Sequence, residues 1–228
     1  MSRACLASRS RMFCANPKQM PDPIGLAAHD IACRRGGRTL FEGLSFSLAP
    51  GDGLLVAGPN GAGKTSLLRQ IAGLLPLDAG RLDLRGADPD SPLPELCHYV
   101  GHANSIKTSL SARENLAFFA DFLGGDGARL DAALAAFGLG VLADLPAGIL
   151  SAGQKRKLAL SRLFAAPRPI WLLDEPQTSL DAASVKLLDA AIAAHLSAGG
   201  IAVVASHAAL KTKFARKLVL GQKLERAA

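Results

Sequence analysis

Residues Gly58-Pro59-Asn60-Gly61-Ala62-Gly63-Lys64-Thr65 fit the pattern G-x-x-x-x-G-K-[ST], and they lie between the apolar run GLLVAG and the helix-like stretch KTSLLRQIAGLLP. A loop of this kind commits the chain to a strand–loop–helix unit with the loop at the strand's C-terminal end. Small residues let successive backbone N–H groups turn inward on phosphate oxygens, the helix N-terminus adds a favourable dipole, and Lys64 brings a compact positive charge to the β/γ-phosphates. In this reading Thr65 ligates Mg²⁺, and Ser66 is a further hydrogen-bonding group for the phosphate chain. The loop by itself says only that a nucleoside triphosphate is bound, because many unrelated activities share it.

Other segments narrow the chemistry. The stretch PIWLLDEP reads as a buried strand ending in Asp174 and Glu175, at the strand end where ligands gather in open α/β sheets. Asp174 is suited to hold Mg²⁺ through water, and Glu175 to polarise a water attacking the γ-phosphate in line. Leu150-Ser151-Ala152-Gly153-Gln154 opens a further helix with Ser151 at a plausible N-cap. It is either a second anion site or an ordinary capped helix.

Before the phosphate loop, IGLAAHDIAC and LFEGLSFSLAP read as two antiparallel strands around the turn RRGGR. Residues 111–145 are rich in Ala and Leu, with periodic segments at 115–123 and 130–137 separated by GGDG, and read as a small helical section. A helix at 151–165, the strand before Asp174, a helix across 183–197 and a strand GIAVVAS follow. The expected fold is an α/β core with an antiparallel start and a helical insertion.

Length and charge exclude other classes. The chain has 228 residues, the size of one domain with a sizeable core. Of its formal charge of +7, residues 1–21 carry +4 and residues 211–228 carry +5, which leaves −2 for residues 22–210. The body therefore has no basic excess with which to track a nucleic acid backbone. Cys5, Cys14, Cys33 and Cys97 show no metal-site or disulfide spacing, as expected of a reducing compartment. Residues 1–22 are Arg/Ser-rich without a continuous apolar core, and are read as a disordered extension or an upstream start preceding Met12 or Met20. The basic run 211–226 lies either near anionic headgroups or, the favoured reading, on a solvated helix face.

The phosphate loop, LSAGQ, LLDEP, Ser179-Leu180-Asp181 and Ala205-Ser206-His207 occur in an order that resembles the ATP-binding cassette (ABC) ATPases, over about residues 24–220. The resemblance implies an ABC-type nucleotide-triphosphatase core with an antiparallel β subdomain and a helical subdomain at about 108–165, all within one domain spanning 23–228. It implies ATP and Mg²⁺ as cofactors. It also implies a head-to-tail homodimer in which Ser151, Gly153 and Gln154 close over the partner copy's nucleotide, an inter-site contact for Asp181, and a γ-phosphate-sensing role for His207 beside Glu175.

The chain departs from the family at two positions. Where members stack an aromatic residue on adenine, register places Arg35, which either stacks its guanidinium on the base or belongs to a solvated turn. The family's metal-contacting glutamine falls on His102, which contacts the metal or water unless the loop is shifted. Tyr99-Val100-Gly101-His102, Glu114-Asn115-Leu116, LSAGQKRKLALSRL and GGRTLFEGLSF are similar to the ATP-binding subunits of bacterial haem exporters of cytochrome c maturation. That similarity implies peripheral attachment at the cytoplasmic face of the inner membrane, integral membrane partners, and haem handled by those partners. The competing readings are an ATPase for another transported small molecule, a nucleic-acid-clamping cassette ATPase, and a phosphate-loop kinase.

Overall fold

A computed structural model describes residues 23–88, 91–125, 127–207 and 210–221. Strands β1 (Gly25–Arg35) and β2 (Arg38–Leu48) form the expected antiparallel hairpin, turned by Gly36 and Gly37 at positive φ. Strand β3 (Gly53–Ala57) leads through the phosphate loop into helix α1 (Lys64–Ile71), and β4 (Ala79–Arg85) returns to pair with β1. After β5 (Cys97–Val100) come the helices α2 (Ala112–Phe122), α3 (Leu130–Ala136) and α4 (Ala152–Ala165). The chain then alternates β6 (Ile170–Asp174), α5 (Ala182–Ser197), β7 (Ile201–Ala205) and β8 (Arg216–Val219).

These strands make two sheets, antiparallel β2-β1-β4 and parallel β5-β6-β7-β3-β8. Strands β6 and β7 are buried along their whole length, so IWLLD and IAVVA read as continuous apolar runs and not as alternating ones. On one face of the parallel sheet Leu67, Leu68 and Ile71 of α1 meet Leu26 and Ile31 of β1, with Leu172 and Val203 beneath. The opposite face packs Leu173 and Val204 against Leu160 and Leu163 of α4 and Leu188 and Ile192 of α5. A leucine fully buried in either layer stabilises the fold by about 2 kcal/mol.

Around Leu116, Leu134 and Leu158 the helices α2, α3 and α4 share a third apolar cluster. Local chemistry fixes where α2 starts. Ser111 and Glu114 form a reciprocal capping box, and the buried Asn115 side chain bonds the backbone of Lys107, Leu110 and Ser111. The run Glu114-Asn115-Leu116 thus has a structural reason in the loop that enters the helical section.

The basic end differs from the expected solvated helix face. Residues 216–219 form an edge strand against β3, with Arg216 and Lys217 exposed. Charged side chains on such an edge discourage pairing with another chain, which accounts for their presence without a helix. The expectations for residues 1–22 and for the last residues of the basic run fall outside the described residues.

Two histidines lie inside the parallel layer. His98 bonds the Ala166 carbonyl, and His195 stacks on Trp171 with ring centroids 3.9 Å apart while bonding the Ile201 carbonyl at 3.2 Å. Burial pushes His98 down to about 3 and His195 down to about 4. The unfolded chain therefore takes up protons below about pH 6.5 that the folded chain does not, and stability falls as pH falls from there towards 4. Denaturant titrations are expected to lose roughly 2–3 kcal/mol per pH unit across pH 6 to 4.5. His195→Phe, which keeps the stack, is expected to remove about half of that slope; an unchanged slope in this variant contradicts the assignment.

Candidate functional site

The turn from β3 to α1 is held by its own lysine. Lys64, 7% exposed, folds back so that its Nζ donates to the carbonyls of Gly58 (2.8 Å) and Pro59 (3.0 Å). Gly58 is at φ 137°, and a Cβ there would stand 2.4 Å from the Leu220 carbonyl oxygen, so the loop requires glycine where it passes the end of β8. His207, two residues beyond β7, brings Nε2 to 2.9 Å from Lys64 Nζ and 2.8 Å from Asn60 Oδ1. That nitrogen accepts from the ammonium in one tautomer and donates to the amide oxygen in the other.

Both carboxylates stand where β6 ends. Thr65 Oγ1 donates to Asp174 Oδ2 at 2.8 Å, which places a hydroxyl and a buried carboxylate side by side against the phosphate loop. Hard oxygen donors in that arrangement fit a Mg²⁺ ion bound with a nucleotide. Glu175 is at φ 46°, an uncommon conformation for a residue with a Cβ. Its Oε2 accepts from the His207 backbone N–H at 3.3 Å, whereas the buried Oε1 has no hydrogen-bond partner among the described residues, His207 Nε2 lying 3.6 Å away.

These groups line one open cleft of about 300 Å³. Asn60, Gly61, Gly63, Lys64, Thr65, Ser66, Asp174, Glu175 and His207 contribute, and Arg35 and Leu40 of the hairpin complete it. Gly58, Pro59 and Ala62 belong to the same loop without facing the cleft. The cleft can hold a phosphate chain against backbone N–H groups and one ammonium, with an acceptor carboxylate at its edge.

Other candidates lie apart from this lining. His102 is exposed in the loop after β5. Ser151 and Gln154 satisfy each other at the start of α4, Gln154 N donating to Ser151 Oγ and Ser151 N to Gln154 Oε1. A Cβ on Gly153 would stand 2.7 Å from the Ser179 carbonyl oxygen, so glycine is needed here for packing within one copy. Asp181 caps α5 by accepting from Ser184 N and Oγ, both at 2.7 Å, and pairs with Lys157 at 3.1 Å. Those Ser184 bonds, helped by Lys157, hold its carboxyl down at about 2.

Sequence reasoning passes over two arginines of α4. Arg156 and Arg162 are assigned no role in the sequence, yet both are buried. Arg156 bonds backbone carbonyls at the end of β6; Arg162 donates to the carbonyls of Asn104 (2.6 Å) and Ser105 (2.8 Å) and lies over the Phe119 ring. Burial, and after it Arg156, draws Arg162 down to about 9. A signal for Arg156 exists: it falls three, four and seven residues before the buried Ala159, Leu160 and Leu163.

Comparison with known proteins agrees with this geometry. The model of the ABC transporter family matches residues 41–178. The chain is 50% identical over 185 residues, 81% of its length and 92% of the relative's, to the cytochrome c biogenesis ATP-binding export protein CcmA of Rhodopseudomonas palustris strain HaA2. The CcmA protein of Rhodospirillum rubrum is 52% identical over 189 residues, 81% of each chain. In fold the chain is similar to a putative ABC transporter ATP-binding protein from Pyrococcus furiosus, with TM-score 0.74 and 21% identity over 86% of this chain and 97% of that one. With its two sheets, its helical section and a phosphate loop in this register, the chain belongs to the ABC transporter family, as one of its ATP-hydrolysing members.

Proposed function

We propose that the chain is the ATP-hydrolysing subunit of a membrane complex that exports or delivers haem for cytochrome c maturation, one domain from about residue 23 with a helical subdomain near 108–165. The observation that carries its chemistry is Glu175 Oε1, a buried acceptor without a donor among the described residues, beside His207 and one residue from an Asp174 already bonded to Thr65. ATP lies with its phosphates on the loop 58–65, and Arg35 and Leu40 offer a planar cation and an apolar surface to the base.

Thr65 and Asp174 would hold Mg²⁺, whose charge, when bound, offsets that developing on the β- and γ-phosphate oxygens. Lys64 exchanges the Gly58 and Pro59 carbonyls for phosphate oxygens, charge-assisted bonds stronger than those it gives up. Glu175 takes a proton from the attacking water at Oε1, while the His207 N–H that bonds Oε2 holds the carboxylate in place. His207 turns from Asn60 and Lys64 towards the γ-phosphate, so that its position depends on whether that group is present.

A pair of copies sandwiches two nucleotides head to tail, each contributing the start of α4 around Ser151 and Gly153 and the Asp181 loop. The Ser151 N–H bond to Gln154 Oε1 keeps that helix start oriented while Ser151 Oγ leaves the Gln154 N–H, and both then face phosphate. Attachment to the cytoplasmic face of the inner membrane comes through integral membrane subunits that handle the haem. No helix among the described residues is long and apolar enough to cross a bilayer. The exposed rings of Phe118 (60%) and Phe122 (75%), stacked on α2, suit contact with such subunits.

Lys64→Ala is expected to weaken ATP binding about 10–100-fold, the effect of losing charge-assisted bonds worth about 1.5–3 kcal/mol. Titration calorimetry with ATP and Mg²⁺ checks it, and unchanged affinity contradicts the phosphate-loop assignment. Glu175→Gln is expected to bind ATP normally, to lose at least about 100-fold in turnover, and to accumulate as a dimer with ATP in light scattering. A monomer under those conditions counts against the sandwich.

A further inference from the structure

Arg156 is 2% exposed, and no carboxylate side chain is among its hydrogen-bond acceptors. Its donors are nonetheless all occupied. Nε donates to the Pro176 carbonyl at 3.1 Å. One terminal nitrogen donates to the Gly101 carbonyl (2.7 Å) and Asn104 Oδ1 (3.2 Å), the other to the carbonyls of Asp174 (3.0 Å) and Glu175 (2.9 Å). A guanidinium has five N–H bonds in one plane, so these five acceptors are fixed relative to one another by a single rigid group.

The consequence falls on Glu175. The carbonyls of Asp174 and Glu175 belong to the two peptide planes that flank the Glu175 Cα, and both are turned to Arg156. Fixing both planes fixes φ and ψ at Glu175, and with them the direction in which its Cα–Cβ bond leaves the strand. The backbone there is in the left-handed region at φ 46°, which a residue with a Cβ keeps only when its surroundings hold it. The same guanidinium holds Gly101 and Asn104, on either side of His102. Six residues along α4, Arg162 holds Asn104 and Ser105 by their carbonyls.

We propose that Arg156 is a positioning residue for ATP hydrolysis: it aims the Glu175 carboxylate by locking the peptide planes around it, and it makes that aim conditional on the placement of the loop after β5. The inference rests on the reading of Glu175 as the group that accepts the proton from water. A displacement of loop 101–105 pulls on the same plane that sets Glu175, so a partner that moves the loop changes turnover without touching the nucleotide. An arginine that merely filled space in the core would affect folding and nucleotide binding alike.

The test uses the full-length chain purified with its membrane subunits, comparing Arg156→Gln, Arg156→Lys, Glu175→Gln and the double variant R156Q/E175Q. For R156Q the expected result is a loss on the order of 100-fold in kcat with KM for ATP within about threefold, since a small misplacement of a reacting group has effects of that size. R156K keeps the charge and three donors and is expected to recover about a tenth or more of wild-type kcat. In the E175Q background R156Q is expected to change the residual rate less than about twofold, because Arg156 acts through the group already removed. Wild-type kcat in R156Q overturns the inference, as does the same fold-loss in both backgrounds or a loss matched by the fraction unfolded. Should R156Q not fold, R156K decides by the same cycle. Wild-type turnover in E175Q removes the Glu175 reading and this inference with it, whereas an inactive E175Q beside an unimpaired R156Q removes the inference alone.

Discussion

Parallel pairing across β6, β7 and β3 is the constraint on which the site depends. In that register Asp174 lies opposite Ala205, and Ala205 opposite Val56. Three segments that are far apart in the chain therefore reach the same edge of the sheet in step. The phosphate loop follows two residues after Val56, Glu175 one after Asp174, and His207 two after Ala205. A slip of one residue would turn every side chain of the slipped strand to the other face, carrying apolar groups off α1 or α4 and separating Lys64, Glu175 and His207. The core and the site are thus held by the same pairing, and the buried runs IWLLD and IAVVA are the residues that enforce it.

Charge inside the fold is handled by carbonyl dipoles more than by ion pairs. Arg156 and Arg162 are buried on α4 and bond chiefly to backbone oxygens of the loops they hold, so desolvation is offset by several bonds per guanidinium. The result is that α4 touches several parts of the site and the core at once. Its start carries Ser151 and Gly153, its first turns reach β6 and the loop after β5, and its apolar side is shared between the sheet and the helical section. The same helix thus carries both Ser151 at its start and the arginine that bonds the backbone of Glu175.

Much of this was legible in the sequence because the signals are local. The phosphate loop, the capping Ser151, the hairpin turn at Gly36-Gly37 and the apolar central strands each follow from a few consecutive residues. Elements stabilised by distant partners were not legible in the same way. Strand β8 reads as a basic tail because only its pairing with β3 makes it a strand. Arg156 and Arg162 are assigned no role in the sequence because their acceptors lie in other segments, and the spacing of Arg156 from the buried Ala159, Leu160 and Leu163 is the one local signal of its burial. Gly153 and Asp181 have internal roles, close packing on Ser179 and capping of α5, that spacing alone does not separate from a role between copies.

ATP turnover at this site is proposed to drive haem delivery to c-type cytochromes, and covalent haem in the membranes of a deletion strain, read on a haem-stained gel, tests it. The expected result is that c-type cytochromes disappear while b-type cytochromes persist, and that the wild-type gene restores them whereas one encoding Glu175→Gln does not. Undiminished c-type cytochromes in the deletion strain, with no related gene present to compensate, would contradict it.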